Sequence, residues 1–401
     1  MPSIAYASFD RFWAPKGASI HIDAFTRALA AAYGRVDLLT IAPFDPAAGP
    51  NAIPGPTQPR ERACGVVHWS FDIRGKNLIA RVEHFRAQLW RWWREHGPFD
   101  VAHFRSIFEG YPIAKERRTL ARRVVYEVNG LPSIELKYHY PDVADDHELL
   151  GKLRAQEQTC IAAADLLVTP SAVTAEHLVA RGAPESRIEV VPNGVDLDCF
   201  TFRARRGAPK RWLYTGTMTA WQGVFAAIEA LRLHRRDDDA RLTLVGPVRK
   251  SVRRKIEATC AAYGLTDHVD LLEPVDQPEL AALHHEHDVA LVPLLPNDRN
   301  LEQGCCPLKL IEAMACGTPV IASDLPVVTQ LAEPDKEALI VRPGSPKAIK
   351  DGVLRLQEDA ELGPRLAANA RRRVEQHYTW PKAGAQLVAA YERTLARDPT
   401  H

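Results

Sequence analysis

The residues best suited to chemistry stand close together in the second half of the chain, in the segment 303–312, Gln-Gly-Cys-Cys-Pro-Leu-Lys-Leu-Ile-Glu. Lys309 lies in the first turn of a predicted helix, where the helix dipole disfavours a cation and backbone N–H groups lack partners. A phosphate bound there would meet the ammonium, the dipole and the amides of Leu308 and Lys309 together. Glu312 follows one turn later on the same helix face, and its carboxylate can accept two hydroxyl hydrogen bonds, as a ribose diol offers. The spacing therefore predicts a nucleotide site, and the alternative is a surface Lys–Glu pair on an ordinary helix.

Signals at both ends delimit the helix that carries Lys309 and Glu312. Pro307 suits the first helical position, Gly317 suits the left-handed residue that ends a helix, and Pro319 prevents continuation. The apolar run 320–322 follows at once and predicts a strand. One helix can therefore be drawn from 307 to 316, with a strand directly after it.

Short β-branched runs alternate with segments of helical period along the whole chain, which is typical of parallel sheets covered by helices on both faces. The fold class is therefore α/β. Turn chemistry at 191–194 and a basic, turn-rich stretch at 203–210 predict a boundary between two doubly wound domains near residues 193–202. Ligands of such sheets bind at the carboxyl ends of the strands. The proline-rich stretch 43–59 predicts a surface loop, and the predicted strands are 4–7, 36–41, 66–69, 101–104, 124–128, 166–169 and 188–191 in the first half, then 212–214, 242–245, 269–272, 289–292, 320–322 and 339–341.

Composition restricts the function further. The 401 residues carry a formal net charge of +1, so the chain does not bind nucleic acid or anionic lipid through bulk charge. No run of about 18 uncharged apolar residues is present to form a membrane-spanning helix. The N-terminus shows no secretion signal, and the 7 cysteines are scattered and odd in number, which favours reduced thiols over a disulfide framework. A cytoplasmic protein is therefore expected.

The stretch 303–323 resembles the donor-sugar-nucleotide motif of the retaining glycosyltransferases of family four, which have the GT-B fold. In that family a Glu, seven further residues and a second Glu precede Ala-Met-Ala-x-Gly-x-Pro-Val. Glu312 matches the second Glu, whereas Gly304 stands at the position of the first. A variant branch has Pro-x-Lys-Leu before the second Glu, which matches residues 307–310. The resemblance implies two Rossmann-like domains facing a cleft: an acceptor-binding domain at 1–195, a sugar-nucleotide-binding domain at 196–377, and a helix at 378–401 that crosses back onto the first domain.

The resemblance extends to the segment 214–224, which looks like the strand, glycine turn and helix start of the family's second domain. There an Arg or Lys and a second Lys usually hold the diphosphate, whereas this chain has Thr217 and Gln222. Both side chains can hydrogen-bond phosphate oxygens, so Lys309, helped by Arg249, would supply the positive charge. Simple turn glycines are the alternative interpretation of Gly216 and Gly223. The implied donor-binding residues are Gly17, Gly216, Thr217, Gln222, Arg249, Pro307, Leu308, Lys309, Leu310 and Glu312.

Three segments of the first half also resemble the family. The stretch 15–21, with Gly17, looks like the glycine-containing loop between the first strand and first helix, although a plain loop glycine is the alternative. His103 lies at a strand end that often carries a His, and it could equally be a core histidine. Asn129 stands where many members have a His that faces the sugar. The implied acceptor-binding residues are Lys16, Arg105 and Glu135.

The implied reaction is the retaining transfer of a hexose-type sugar from a UDP- or GDP-sugar to a hydroxyl acceptor, which could be a glycan, a lipid or a small metabolite. No metal or other cofactor is expected, because Asp237–Asp239 and the stretch 284–288 are typical of solvated loops and helix ends. No nucleic-acid partner is expected, and an off-face Trp90 among arginines allows at most peripheral membrane contact. A non-catalytic sugar-nucleotide-binding protein and a sugar-nucleotide epimerase of the same fold are the alternatives. The candidate catalytic residues are Lys309, Glu312, His103 and Asn129.

Overall fold

The computed structural model describes residues 1–12, 16–42, 59–61, 63–204 and 207–397. The chain divides into two compact units: one comprises the chain up to Pro192 and again from Ala383, and the other comprises Asn193–Lys382. Sequence analysis placed these boundaries at 195 and 377. Each unit contains one sheet with helices between successive strands, which confirms the predicted α/β class.

The first unit is built on an 8-stranded sheet whose central strand carries the earliest apolar run of the chain. The strand order is β3-β4-β2-β1-β5-β6-β7-β8, and every neighbouring pair is parallel except β3 with β4. Strand order reverses at β1, which creates a switch point beside its carboxyl end. The strands are β1 (Ile4–Arg11), β2 (Val36–Ile41), β3 (Arg60–Glu61), β4 (Val66–Phe71), β5 (Phe99–Phe104), β6 (Ala121–Glu127), β7 (Leu166–Thr169) and β8 (Ile188–Val190).

Helices of the first unit bury an apolar face against this sheet. In α2 the residues Val82, Phe85, Leu89 and Trp92 recur at helical spacing and are all buried, as the sequence pattern predicts, whereas Trp90 is 37% exposed. The helices are α1 (Gly17–Tyr33), α2 (Leu78–His96), α3 (Ile107–Lys115), α4 (Arg117–Leu120), α5 (Pro132–His139), α6 (His147–Ala163) and α7 (Ala172–Ala180).

The start of the chain differs from the predicted elements in a way that matters for function. Strand β1 continues past Ala7 through an irregularity to Arg11, which pairs with Ile41. The apolar run ends at Ala7 and three of the next four residues are polar, so the sequence pattern does not predict this extension, which places Asp10 at the carboxyl edge of the sheet. Helix α1 begins at Gly17, inside the predicted loop 15–21. Pro15 and residues 43–58 of the predicted loop 43–59 lie outside the described residues.

The second unit contains a 6-stranded, fully parallel sheet in the order β11-β10-β9-β12-β13-β14. Strand order reverses at β9, so the switch point lies between β9 and β12. The strands are β9 (Arg211–Thr215), β10 (Arg241–Val245), β11 (Val269–Leu272), β12 (Val289–Val292), β13 (Val320–Ser323) and β14 (Leu339–Val341). The helices are α8 (Val224–His234), α9 (Lys250–Ala262), α10 (Gln277–Glu286), α11 (Leu308–Cys316), α12 (Pro326–Thr329), α13 (Pro346–Glu358) and α14 (Leu362–His377).

The last helix, α15 (Trp380–Ala396), belongs to the first unit from Ala383 onward. Its buried Tyr391 donates to or accepts from Nδ1 of His103 at 2.5 Å. The carbonyl of Thr394 accepts a hydrogen bond from Arg123 Nε at 3.1 Å, and Arg123 is buried in β6. The end of the chain therefore completes the core beside the first strands of the sheet.

Gly223, in the connection from β9 to α8, allows two loops of the second unit to touch. It adopts φ of +81°, and a Cβ at this position would stand 1.7 Å from the carbonyl oxygen of Pro293. Gly264, after α9, also has a positive φ, of +66°, but a Cβ there would meet no atom within 4 Å. The two glycines share the backbone strain of a left-handed conformation and differ in the steric contact.

We therefore expect Gly223→Ala to lower the free energy of unfolding by about 2–4 kcal/mol, because it adds a backbone clash to the left-handed strain. Gly264→Ala, which adds the strain alone, should lower it by about 1 kcal/mol. Denaturant unfolding of both variants measures the difference. Equal effects of the two substitutions would show that the clash with Pro293 does not lower the free energy of unfolding.

Candidate active site

The ammonium of Lys309 is the centre of a polar cluster at the carboxyl edge of the second sheet. Its Nζ donates a hydrogen bond to Oε1 of Gln222 at 2.9 Å and lies 4.3 Å from the centre of the Tyr214 ring. It also lies so close to Gly216 that a Cβ there would be 3.2 Å from Nζ. The structure therefore brings Lys309 together with Gly216 and Gln222, which lie in one loop far from Lys309 in the sequence.

Two features of helix α11 position the Lys309 ammonium: the residue at which the helix begins and the face that it buries. The helix begins at Leu308, so Pro307 stands just before the first helical position and not in it, with an extended backbone (φ −71°, ψ 106°). No described side chain caps this helix start, which leaves the first amides directed outward. Leu310 has no exposed surface and anchors the helix in the core, so its side chain is unable to touch a ligand. Gly317 ends the helix in the predicted left-handed conformation.

Burial shifts the protonation of both charged residues on α11. Desolvation lowers the pKa of Lys309 to about 7; Cys305 and Glu312 oppose this shift, and the nearby charge of Arg299 adds to it. Desolvation also raises the pKa of Glu312 to about 7 against the influence of Lys309. No carboxylate of the described residues forms an ion pair with the Lys309 ammonium. A half-buried cation without an anionic partner favours the binding of an anion.

The connection from β9 to α8 provides polar groups beside Lys309. The Tyr214 hydroxyl donates to the carbonyl of Thr217 at 3.0 Å and so shapes the turn, while the Thr217 side chain is exposed. The hydroxyl of Thr219 is buried and has no hydrogen-bond partner within the described part of the chain. Arg249 is exposed and precedes α9 at the same sheet edge. These groups can donate hydrogen bonds to a ligand that lies over the loop.

A second polar cluster lies at the carboxyl edge of the first sheet, around the buried carboxylate of Glu127. Oε2 of Glu127 accepts from the Tyr6 hydroxyl at 2.6 Å and lies 3.1 Å from Nε2 of His103. Oε1 accepts from Arg105 Nε at 2.7 Å and from the Asn129 amide, and it lies 2.9 Å from His21 Nε2. Glu127 was missed by sequence analysis, although an acidic residue that interrupts the apolar run 124–128 of a central strand is a signal for it.

The Glu127 carboxylate and its neighbours shift one another's pKa values. Burial opposes the ionised form of Glu127, but contacts with His21 and Arg105 and the hydrogen bond of His103 outweigh burial and hold its pKa well below the usual range. Burial lowers the pKa of His103, although Glu127 partly opposes this shift. Burial also opposes the charged form of Arg105, but Glu127, Tyr6 and Asp10 raise its pKa above the usual value. The cluster therefore holds an ionised Glu127 and Arg105 beside a neutral His103.

The positions of the predicted residues in this cluster differ from one another. His103 has no exposed surface and uses both ring nitrogens, so the structure favours the core alternative over a direct contact with substrate. Arg105 is 7% exposed, and its Nη1 donates to Asp10 at 3.0 Å. Asn129 is half-buried just after β6. Glu135, on α5, directs its carboxylate at the backbone of Gly130, next to Asn129.

Lys16 and Gly17 lie at the start of α1, beside the extended end of β1. Lys16 occupies the position before the helix and forms an ion pair with Asp10. Gly17 is the first helical residue, not a loop glycine, because the amide of Ser19 already donates to the Lys16 carbonyl at 3.0 Å. No described side chain caps this helix start. Its outward amides therefore remain available to a ligand.

Two protein-family models match the chain. Glycosyltransferase Family 4 matches residues 15–199, and Glycosyl transferases group 1 matches residues 201–373. The chain belongs to the group 1 glycosyltransferases of family 4. This result confirms the family that the motif resemblance indicates.

Relatives along the whole chain agree with this assignment. The D-inositol 3-phosphate glycosyltransferase of Xylanimonas cellulosilytica is 29% identical over 96% of this chain and 93% of its own length. The solved structure of sucrose-phosphate synthase from Thermosynechococcus elongatus has a TM-score of 0.78 at 22% identity and covers 98% of this chain and 99% of its own. Anabaena HepE, solved with UDP-glucose, has a TM-score of 0.73 at 15% identity and covers 98% and 100%. The structural likeness confirms the GT-B fold.

The glycosyltransferase departs from its family's motif at Gly304 for a reason that the backbone explains. Gly304 is buried, with φ of +81° and ψ of 167°. This region of backbone space is essentially restricted to glycine, so a glutamate there would be strained. A glutamate at position 304 would therefore require a different local backbone conformation.

Sequence analysis also missed the cation that precedes this motif in the glycosyltransferase. The guanidinium of Arg299 lies 4.5 Å from the centre of the Trp221 ring, next to Gln222. Its position in a connection between elements gives no periodic signal in the sequence.

Among the described residues, no helix is both long enough and apolar enough to cross a membrane.

We expect Glu127→Ala to lower the free energy of unfolding by about 3–5 kcal/mol, because it leaves a buried arginine without its carboxylate. Glu148 offers a control: it pairs with Lys152 on the surface, where an ion pair contributes roughly 0–1 kcal/mol. Chemical denaturation at neutral pH compares Glu127→Ala with Glu148→Ala. If the two variants lost the same stability, the Glu127 cluster would contribute nothing beyond a surface ion pair.

Proposed function

We propose that this glycosyltransferase moves a hexose-type sugar, with retention of configuration, from a UDP- or GDP-sugar to a hydroxyl acceptor. The observation that carries the proposal is the Lys309 ammonium, which stands at an uncapped helix start with Gln222 and Gly216 against it and no carboxylate among the described residues paired with it. A diphosphate provides the anion that this arrangement favours. HepE, which shares the fold, was solved with UDP-glucose.

The same groups would assist departure of the nucleoside diphosphate. Negative charge develops on the leaving phosphate oxygen as the bond to the sugar breaks, and fixed donors aimed at that oxygen lower the barrier. Lys309 and the first amides of α11 are such donors, and Glu312 would accept hydrogen bonds from the ribose diol. The departing phosphate oxygen would take the acceptor proton on the same face of the sugar, which yields retention without a protein nucleophile. No metal is needed in this scheme.

The acceptor would bind the first unit. Asn129 is half-buried just after β6. The other predicted acceptor-binding residues are Lys16, just before α1, and Glu135, on α5. Arg105 and Asp10 balance each other within this cluster, which suits a neutral hydroxyl group. We place this reaction in the cytoplasm, because the 7 scattered cysteines favour reduced thiols over a disulfide framework.

A second candidate function is that of a sugar-nucleotide-binding protein without catalysis. Two observations favour it: Gly304 replaces the first acidic residue of the motif, and Asn129 replaces a histidine. Incubation with a radiolabelled donor and a panel of acceptors separates the two candidates. Transfer to any acceptor supports the enzyme, whereas binding without transfer or donor hydrolysis supports the binding protein; conversion of the donor alone would indicate an epimerase.

We expect Lys309→Ala to reduce kcat by roughly 10²–10³, the effect of losing one donor to a developing anion. Lys152→Ala, on the exposed surface of α6, is the control for loss of a lysine. Steady-state kinetics of both variants with a saturating acceptor provide the measurement. A rate for Lys309→Ala within about twofold of the unmodified enzyme would contradict the proposed leaving-group role.

The pH dependence of nucleotide affinity should report the Lys309 ammonium directly. Because the free protein has a Lys309 pKa of about 7, diphosphate binding above that pH requires uptake of a proton. The affinity for UDP or GDP should therefore fall by up to about tenfold per pH unit from about pH 7 to about pH 9. Lys309→Arg keeps its charge throughout this range and should show a shallower fall, because only the ionisation of Glu312 remains in the site. Calorimetric titration at several pH values compares the two, and parallel profiles would contradict the assignment.

A further inference from the structure

The connection between β12 and α11 places a second cation beside Lys309. Residues Arg299–Gln303 form one π-helical turn in this connection. The Arg299 guanidinium lies 4.5 Å from the centre of the Trp221 ring, and its charge is close enough to Lys309 to disfavour protonation of that ammonium. The connection that leads into α11 thus carries a cation whose charge acts on Lys309.

Contacts with the neighbouring loop hold Arg299 in this position. The carbonyl of Trp221 accepts hydrogen bonds from the Leu295 amide at 3.4 Å and from Asn297 Nδ2 at 3.5 Å. Asn300, which is fully buried, donates from Nδ2 to the Leu295 carbonyl at 2.8 Å. The loop that carries Trp221 and Gln222 and the turn that carries Arg299 are therefore joined, which fixes both cations against the same surface.

Arg299 and Lys309 lie beside the β9–α8 loop, whose own side chains at the positions suited to phosphate contacts carry no charge. Thr217 and Gln222 occupy its two positions suited to phosphate contacts, and both are neutral. Bringing a second cation near a half-buried ammonium costs free energy, since like charges disfavour each other's ionised form. A ligand with two or more negative charges reverses that cost, because it attracts both cations at once.

We propose that Arg299 is the second diphosphate-binding cation of this enzyme, acting with Lys309, and that stacking on Trp221 orients its guanidinium. The inference rests on the proposed function, since it assigns a ligand group to the same donor site. A planar guanidinium donates two parallel hydrogen bonds to one phosphate, which a lysine is unable to do. Because Lys309 and Arg299 together can contact two phosphates, Arg299 distinguishes a nucleoside diphosphate from a nucleoside monophosphate.

Calorimetric titration of the full chain with UDP, GDP and the matching monophosphates tests the proposal. For whichever base binds, Arg299→Ala should weaken diphosphate binding by about 10–100-fold, the effect of losing a hydrogen bond to a charged group. The monophosphate should lose less than about fivefold, so the ratio of the two affinities should fall. Arg299→Lys should restore only part of the loss, because it returns the charge without the planar donor pair.

Matched variants separate this role from a structural one. Arg241→Ala removes the same charge from an exposed surface of the second unit and should leave both affinities unchanged. Trp221→Leu keeps the guanidinium but removes its stacking surface, and it should lower the diphosphate-to-monophosphate ratio in the same direction as Arg299→Ala. Melting temperatures of the unliganded variants show whether each remains folded.

The outcomes distinguish this inference from the proposed function. If the unmodified protein binds no nucleoside diphosphate, the proposed function fails and the role of Arg299 fails with it. If the unmodified protein binds a diphosphate and Arg299→Ala keeps both its affinity and its ratio within about twofold, the role of Arg299 is overturned while the proposed function stands. Equal losses for diphosphate and monophosphate would likewise overturn the diphosphate assignment.

Discussion

The removal of one lysine ammonium from water, without a carboxylate to meet it, is the constraint around which the second unit is organised. Desolvation of an isolated cation is costly, and the dipole of α11 adds to the cost because Lys309 stands near its positive end. Two contacts offset part of this desolvation cost: the ammonium donates a hydrogen bond to Gln222, and it lies over the face of the Tyr214 ring. Stability alone would therefore favour a neutral residue at this position, whereas an anionic ligand would favour the cation.

The first unit solves a similar electrostatic problem in the opposite way. Its sheet edge also carries buried charge, but Glu127 and Asp10 there compensate Arg105 and Lys16 within the cluster itself. One sheet edge is therefore internally balanced and rich in hydrogen-bonding groups, whereas at the other no carboxylate of the described residues forms an ion pair with Lys309. This contrast fits a division of labour in which the second unit takes the diphosphate of a donor and the first takes an uncharged hydroxyl.

The sequence predicts the framework well because burial between two helical layers requires continuous apolar strands. Runs such as 36–41, 166–169 and 289–292 have the bounds of β2, β7 and β12, and Gly317 ends α11 as its position suggests. Site residues on α11 were likewise visible, since dipole and charge conflict there. Glu127 and Arg299 escaped notice because their roles arise from partners on other elements: a carboxylate in a strand and an arginine in a connection have no local pattern. The sequence leaves both a site role and a core role open for His103, and the structure places this side chain in the core beside Tyr391.

The return of α15 to the first unit also affects the order in which the chain can mature. A ribosome releases all strands of the first sheet long before it has made Tyr391 and Thr394, which satisfy the buried His103 and Arg123. The second unit, in contrast, is formed by one continuous segment, Asn193–Lys382. During synthesis the later domain can therefore reach its native state first, while the earlier one waits, incomplete, for the final helix.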